Sequence, residues 1–420
     1  MKPIASIRTF CLLVFAALHI HAGSFALHDG DRVVFYGDSI TDQRLYTTFT
    51  ETYVVTRFPK LNVSFVHSGW GGDRVTGGGG GPIDVRLKRD VFAYKPAVMT
   101  IMLGMNDGSY RAFDEKIFET YANGYRHIID SVKKELPGIR ITVIQPSPFD
   151  DVTQPPRFEG GYNAVLMRYS QFVKELAERE KLNVADLNAP VVAALEKARA
   201  TDAELAKKII PDRVHPGPGG HLLMAEQLLK SWEAPALVSS TEIDAAAKKV
   251  AAAKGTRISE LKTGDGISWA QLDEALPMPV DLKDPVVALA INSSDFIQAL
   301  DQETLKVTGL GSGNFNLMID DEEAGSFTGE QLATGINLAT LPTPMAKQAA
   351  QVHKLILEHN NIHFQRWRQI QVPLGEHKSP RVAQAVKGLM TALDEEEAAV
   401  VKEQRAAAQP RRHQFHLVPK

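Results

Sequence analysis

Four apolar runs separated by stretches of helical periodicity constrain this chain most. Val33-Val34-Phe35-Tyr36, Val63-Ser64-Phe65-Val66, Val98 to Leu103 and Ile139 to Ile144 have the length and the β-branched and aromatic content of strands. After the first run, Phe49, Tyr53, Val54 and Phe58 recur at helical spacing as far as Pro59. After the third, Phe118, Tyr121, Tyr125, Ile128 and Val132 mark one face of a helix closed by Pro137-Gly138, and Leu166, Tyr169, Phe172, Val173 and Leu176 mark another beyond the fourth. Strands alternating with helices require crossover connections, so the pattern predicts a parallel sheet with helices on its faces. The run at Val98 to Leu103 is apolar along its length, as a central strand covered on both sides must be.

Polar residues gather where these strands end. The first run breaks at Gly37-Asp38-Ser39-Ile40-Thr41-Asp42, which puts Ser39 at the carboxyl end of a strand, the edge where open α/β sheets bind ligands. Asp, Ser and Thr also turn chains and cap helices, so this block alone does not separate the two roles. The second run leads into Gly69-Trp70-Gly71-Gly72-Asp73 and the third into Gly104-Met105-Asn106-Asp107. An asparagine at a strand end is a turn former, and its amide can equally donate to a developing oxyanion. Of 13 histidines only His215 has an aspartate three residues before it, in Asp212-Arg213-Val214-His215, with Pro216-Gly217 following. An imidazole can take the proton of a serine hydroxyl near neutral pH, and a carboxylate on its other nitrogen fixes the tautomer and stabilises the imidazolium. Asp-x-x-His by itself is an ordinary helix-entry pattern. His221 falls on the helix that follows and reads as structural.

Taken in order, these four blocks resemble the GDSL, or SGNH, hydrolases over residues 30 to 233. The resemblance implies a flavodoxin-like three-layer α/β/α SGNH domain and an ester hydrolase that uses no metal or organic cofactor. In that reading Ser39 is the nucleophile, His215 the base and Asp212 its orienting partner. The oxyanion would be held by the backbone N–H groups of Ser39 and Gly72 and by the Asn106 side-chain amide. His67 stands where the family pattern carries an asparagine. The implied substrates are small acyl esters or O-acetyl groups of a polysaccharide, with aryl esters, thioesters and lysophospholipids served by the same constellation. A non-catalytic carbohydrate-binding or envelope scaffold with this fold is the alternative from another class.

The remaining sequence bounds partners and organisation. Net charge is −3, which gives no broad basic field for nucleic acid. Lys2 and Arg8 followed by the apolar run Phe10 to Leu18 read as a signal peptide spanning 1–26, too short for a stable membrane span, so the expected location is periplasmic or secreted. Cys11, the only cysteine, lies inside it, leaving a mature chain without disulfides or thiol chemistry. The glycine run 77–81 lacks the ending of a phosphate-binding loop and is expected to be a mobile surface loop beside the cleft. Gln145 to Gly161, rich in proline and glycine, is a candidate rim loop. The catalytic domain is expected over 27–235. A helical linker follows over 236–285, where Thr241 to Lys254 is rich in alanine and lysine, and a smaller α+β accessory region over 286–420. Within the latter, Val286 to Ile291, Leu305 to Thr308, Phe315 to Ile319 and Ala324 to Phe327 read as strands. Pro344 to about Ile370 and Ser379 to about Ala407 read as helices. Carbohydrate binding, a lid or homo-oligomer formation are the roles open to it. His359 and His363, at i and i+4, read as a solvated or capping face more readily than as metal ligands.

Overall fold

The computed structural model describes residues 25–420; residues 1–24 of the expected signal segment lie outside them. Strands β1 (Arg32–Gly37), β2 (Ser64–Gly69), β3 (Val98–Met102), β4 (Arg140–Ile144) and β5 (Asn183–Ala185) form one sheet in the order β2-β1-β3-β4-β5. Every neighbouring pair in it is parallel. This is the flavodoxin-like strand order, with its topological switch point between β1 and β3. Helices α1 (Ser39–Asp42), α2 (Leu45–Arg57), α3 (Ile83–Asp90), α4 (Glu115–Glu135), α5 (Gly161–Glu180), α6 (Ala189–Thr201) and α7 (Pro218–Ser231) flank it in a three-layer α/β/α domain. Val33 to Tyr36 of β1 are fully buried, which accounts for the unbroken apolar run. In α4 the expected face is the buried one: Tyr121, Tyr125, Ile128 and Val132 point inward. The Asp114 carboxylate accepts the Lys116 and Ile117 N–H groups at the start of that helix.

The secondary structure of the C-terminal half differs from expectation in two places. Residues 236–285 are not a helical linker: Leu237–Asp244, Lys249–Lys254, Thr256–Thr263 and Ile267–Asp273 are strands. Val238, Thr241 and Ile243 point inward, while the alanine- and lysine-rich Lys249–Lys254 is an exposed edge strand paired on one side only. Pairing outweighs the helical preference of its residues there. Conversely, Val286 to Ile291 belong to a helix, α8 (Pro285–Asn292). Asp284 caps it by accepting the Val286 and Val287 N–H groups, and Pro285 occupies its first turn. A short apolar run carries no periodicity that separates strand from buried helix. Val287, Leu289, Ala290 and Phe296 join the core of the catalytic domain, so that core extends beyond the expected limit at 235.

The other expected strands are present as Gln302–Thr308, Asn314–Ile319 and Glu322–Thr328. They enter two sheets, one of four and one of five strands, with the last strand, Arg412–Pro419, in the middle of the five-stranded one. Trp269, Leu305, Leu317 and Phe415 centre a second hydrophobic core, which α9 (Pro344–Phe364) completes with Val352 and Ile356. Helix α10 (Pro380–Ala407) packs along α9.

Helix α9 also packs on α2, and the junction is charged and buried. Glu51 of α2 accepts hydrogen bonds from His359 Nε2 at 2.7 Å and from His67 Nε2 at 3.3 Å, and His67 Nδ1 meets Thr47 Oγ1 at 2.7 Å. Glu397 of α10 lies 3.6 Å from His359 Nδ1 and 3.5 Å from His363 Nδ1. His359 and His363 are therefore interior groups, not a solvated face, because their helix face is the one laid against the catalytic domain. No group of three or more potential ligand side chains among the described residues is arranged to hold a metal ion.

Burial opposes charge throughout this cluster, and pairing reverses it at three of the four groups that shift. Glu51 and Glu397 are held down at about 2 against burial by the imidazoles facing them. His359, which burial alone would lower, is raised to about 10 by Glu51 and Glu397, while burial takes His67 down to about 4. The stability that His359 contributes is complete below its ordinary pKa of about 6.5 and is lost as pH rises through about 10. The contributions of Glu51, Glu397 and His67 have the opposite sign and fade only on acidification. The difference in Tm between wild type and His359→Gln should therefore shrink steadily between about pH 6.5 and 10, as calorimetry across that range would show.

Candidate active site

Ser39 is the first residue of α1, immediately after β1. Asp38 caps the helix by accepting the Ile40 N–H at 3.0 Å, and the hydroxyl side chain is left half-buried at the sheet edge. The turn requires Gly37: a Cβ there would lie 2.2 Å from Thr41 Oγ1. His215 reaches the same place from the loop before α7. Its Nε2 lies 2.8 Å from Ser39 Oγ, and its Nδ1 lies 2.7 Å from Asp212 Oδ2. The other Asp212 oxygen accepts the backbone N–H groups of Val214 and His215 at 2.9 and 2.7 Å. Asp-x-x-His thus folds on itself, and the carboxylate orients both the loop and the ring. Partial burial works to raise the Asp212 carboxyl, but the hydrogen bonds from His215 and Val214 outweigh it and hold the group below its ordinary range.

The loops after β2 and β3 are tied to each other and to α1. Gly72 sits in a left-handed turn with φ of 78° after β2. Among the described residues, neither its N–H nor that of Ser39 has a protein acceptor. The Asn106 amide donates one hydrogen to Asp73 O at 3.0 Å, while its Oδ1 accepts from the Tyr110 hydroxyl at 2.9 Å. That arrangement leaves the second N–H of Asn106 free. His67 takes no part in bracing this loop, because it points into the α2 junction. Instead Asp42 Oδ2 accepts the Gly71 N–H at 3.0 Å, and Arg86 Nε donates to Asp73 Oδ2 at 2.7 Å.

Two buried carboxyls lie behind the site. Burial lifts Asp38 and Asp107 to about 7 each, against the N–H groups of Ile40 and Val75 that hydrogen-bond to them. Asp107 Oδ1 accepts the Val75 N–H at 3.0 Å and so ties the loop after β3 to the loop after β2. The candidate rim loop packs against the loop that carries His215. Asp150 N donates to Arg213 O at 2.9 Å, and the Arg213 guanidinium donates to Pro155 O at 2.9 Å. The glycine run is a closed hairpin packed on Trp70, not a loose surface loop. A Cβ on Gly80 would come within 2.7 Å of the Trp70 ring, so only bare backbone fits.

Tyr110, Asp42, Arg86 and Arg213 had no functional signal in the sequence. Tyr110, Asp42 and Arg86 touch residues of the strand-end blocks, and Arg213 ties the histidine loop to the rim loop. His221, as expected, is structural: buried, pushed down to about 3 by burial, and held by the Tyr46 N–H and the Gln43 side chain.

Comparison with known proteins fits this arrangement. Residues 35–223 match the GDSL-like lipase/acylhydrolase family. An acetylxylan esterase of Geobacillus stearothermophilus is 25% identical over 228 residues, covering 48% of this chain and 93% of that protein. A solved structure, that of a gut microbial diltiazem-metabolizing enzyme, superposes with a TM-score of 0.82 at 28% identity over 94% of this chain and 98% of its own. The likeness to that structure therefore takes in the C-terminal sheets and helices as well. No helix among the described residues is long and apolar enough to cross a membrane. Ser39 and His215 both lie in the stretch, residues 35–223, that matches the GDSL-like lipase/acylhydrolase family, and the chain is a carboxylic ester hydrolase.

Proposed function

We propose that the protein is an exported serine esterase that removes short acyl groups, acetyl above all, from carbohydrate or other small alcohols. The observation that carries this reading is the hydrogen-bonded row Asp212–His215–Ser39 beside two backbone N–H groups without protein acceptors. Ser39 Oγ attacks the acyl carbon while its proton passes to His215 Nε2. Asp212 keeps the Nδ1 proton in place and stabilises the imidazolium. The N–H groups of Ser39 and Gly72 and the free N–H of Asn106 receive the oxyanion. His215 then protonates the departing alcohol. Water, deprotonated by the same imidazole, attacks the acyl-Ser39 ester and releases the carboxylic acid. The name of one relative, an acetylxylan esterase, supports the short acyl group. Export rests on Lys2, Arg8 and the Phe10 to Leu18 run, and mass spectrometry of the protein from the cell envelope or medium should find an N-terminus near Ala22 to Leu27.

Hydrolysis of p-nitrophenyl esters from acetate upward, with acetylated xylo-oligosaccharide and diltiazem alongside, tests the reading. Activity should be greatest on acetyl esters, and Ser39→Ala should lower kcat by about 10⁴-fold or more. Equal rates for Ser39→Ala and wild type would reject the serine mechanism, and binding without turnover would favour a scaffold. Asn106→Ala should lower kcat by about 10² to 10³ with little change in KM. Tyr110→Phe removes one neutral hydrogen bond to Asn106 and should cost about two- to tenfold in kcat. In the Asn106→Ala background the same change should cost nothing further, which a double-mutant cycle measures.

A further inference from the structure

The C-terminal region reaches the oxyanion loop through one short segment. Beyond α9 the helix continues as Gln365–Gln371 with π-type turns, a geometry that is rare and concentrated at functional sites. Two consecutive residues of this segment meet Trp70, which precedes Gly71-Gly72. The Arg368 guanidinium carbon lies 3.1 Å from the centre of the Trp70 ring, and the Trp367 ring meets it edge-on at 5.8 Å. Arg368 also stands 3.7 Å from Asp42 Oδ2, the oxygen that accepts the Gly71 N–H. Trp367 is buried and donates from Nε1 to Asp90 Oδ1 at 2.6 Å. Asp90 in turn pairs with Arg86, whose Nε holds Asp73 and whose Nη2 donates to Ser68 O at 2.8 Å. The residues on both sides of Gly71-Gly72 are thus tied to the accessory region. The nucleophile side is tied as well, since Arg44 donates to Asn360 O at 3.0 Å and lies over the Phe364 ring.

We propose that Trp367 and Arg368 are positioning residues for the oxyanion donor Gly72, so that the C-terminal region completes the active site from outside the catalytic domain. The proposal rests on the esterase reading of Gly72. A flexible glycine turn with φ of 78° has no side chain of its own to fix the direction of its N–H. Direction must come from neighbours, and both Arg86 and Arg368 place a guanidinium over the Trp70 ring. An oxyanion donor a few tenths of an ångström out of place loses transition-state stabilisation while ground-state binding is kept.

The experiment measures kcat, KM and Tm on p-nitrophenyl acetate for the full chain with Arg368→Ala, Arg368→Lys, Trp367→Phe and Arg366→Ala. Arg366 is the control: it sits on the same segment but pairs with Asp394, away from Trp70. Arg368→Ala and Trp367→Phe should lower kcat by about tenfold, part of the loss expected for a missing oxyanion donor, with KM within about twofold. Arg368→Lys should recover part of the loss, since an ammonium keeps the attraction to Asp42 but not the planar stacking. Arg366→Ala should change Tm alone. Unchanged kcat in Arg368→Ala and Trp367→Phe, or a fall in kcat that Arg366→Ala shares in proportion to Tm, would overturn the proposal while leaving the esterase reading intact. A wild-type protein without Ser39-dependent turnover would remove both.

Discussion

The register of β1 against its two neighbours governs everything at the functional edge. Gly37 at the end of β1 is level with Gly69 on one side and Met102 on the other, and all three strands run the same way. Three loops therefore leave the sheet at one height and on one edge, at the point where strand order reverses. Ser39, Gly72 and Asn106 follow their strand ends by two to four residues, so a shared register delivers all three to the same edge of the sheet. His215 is the one participant not delivered by a strand end of this trio. Asp212 folds its loop locally, and the rim loop holds it in place through Arg213.

Buried charge then does the finer placement. Arg86, enclosed with Asp73 and Asp90, joins the loop after β2 to α3, and Asp107 joins that loop to the one after β3. Such pairs are weak evidence for stability, because desolvation cancels most of the attraction. Their geometric effect is stronger, since a buried guanidinium left with an unmatched donor is costly and so tolerates few arrangements. The same reasoning applies to the His359 cluster between α2 and α9. It pins α9 and α10 to α2, the helix that follows Ser39, and the segment bearing Trp367 and Arg368 is carried to the loop after β2 as a consequence.

Much of the catalytic half was legible in the sequence. The four apolar runs became β1 to β4, and α4 buried the face that its periodicity marked. Ser39, Asp212 and His215 lie in one hydrogen-bonded row, and Gly72 and Asn106 stand in the loops that follow β2 and β3. This succeeded because each block is local and is announced by residue types that few other structures need together. The failures were equally physical. Thr241 to Lys254 carries helical preferences, yet Thr241–Asp244 ends one strand and Lys249–Lys254 is the edge strand paired with it, since that pairing decides the backbone. Val286 to Ile291 carries strand-like residues and is helix, since Asp284 and Pro285 start a turn and the catalytic core accepts its apolar side chains. His359 and His363 looked exposed because nothing on their own helix shows which face meets α2.

What the sequence determined by itself was the strand and helix alternation, the polar blocks at the strand ends and the spacing of Asp212 to His215, all properties of short segments with their own geometry. Tertiary structure alone decided which side chains serve those blocks from a distance: Asp42 on Gly71, and Trp367 and Arg368 on Trp70. Residues as far apart as 70 and 368 share no local pattern, because their contact depends on the packing of α9 against α2 and not on the chemistry of either segment.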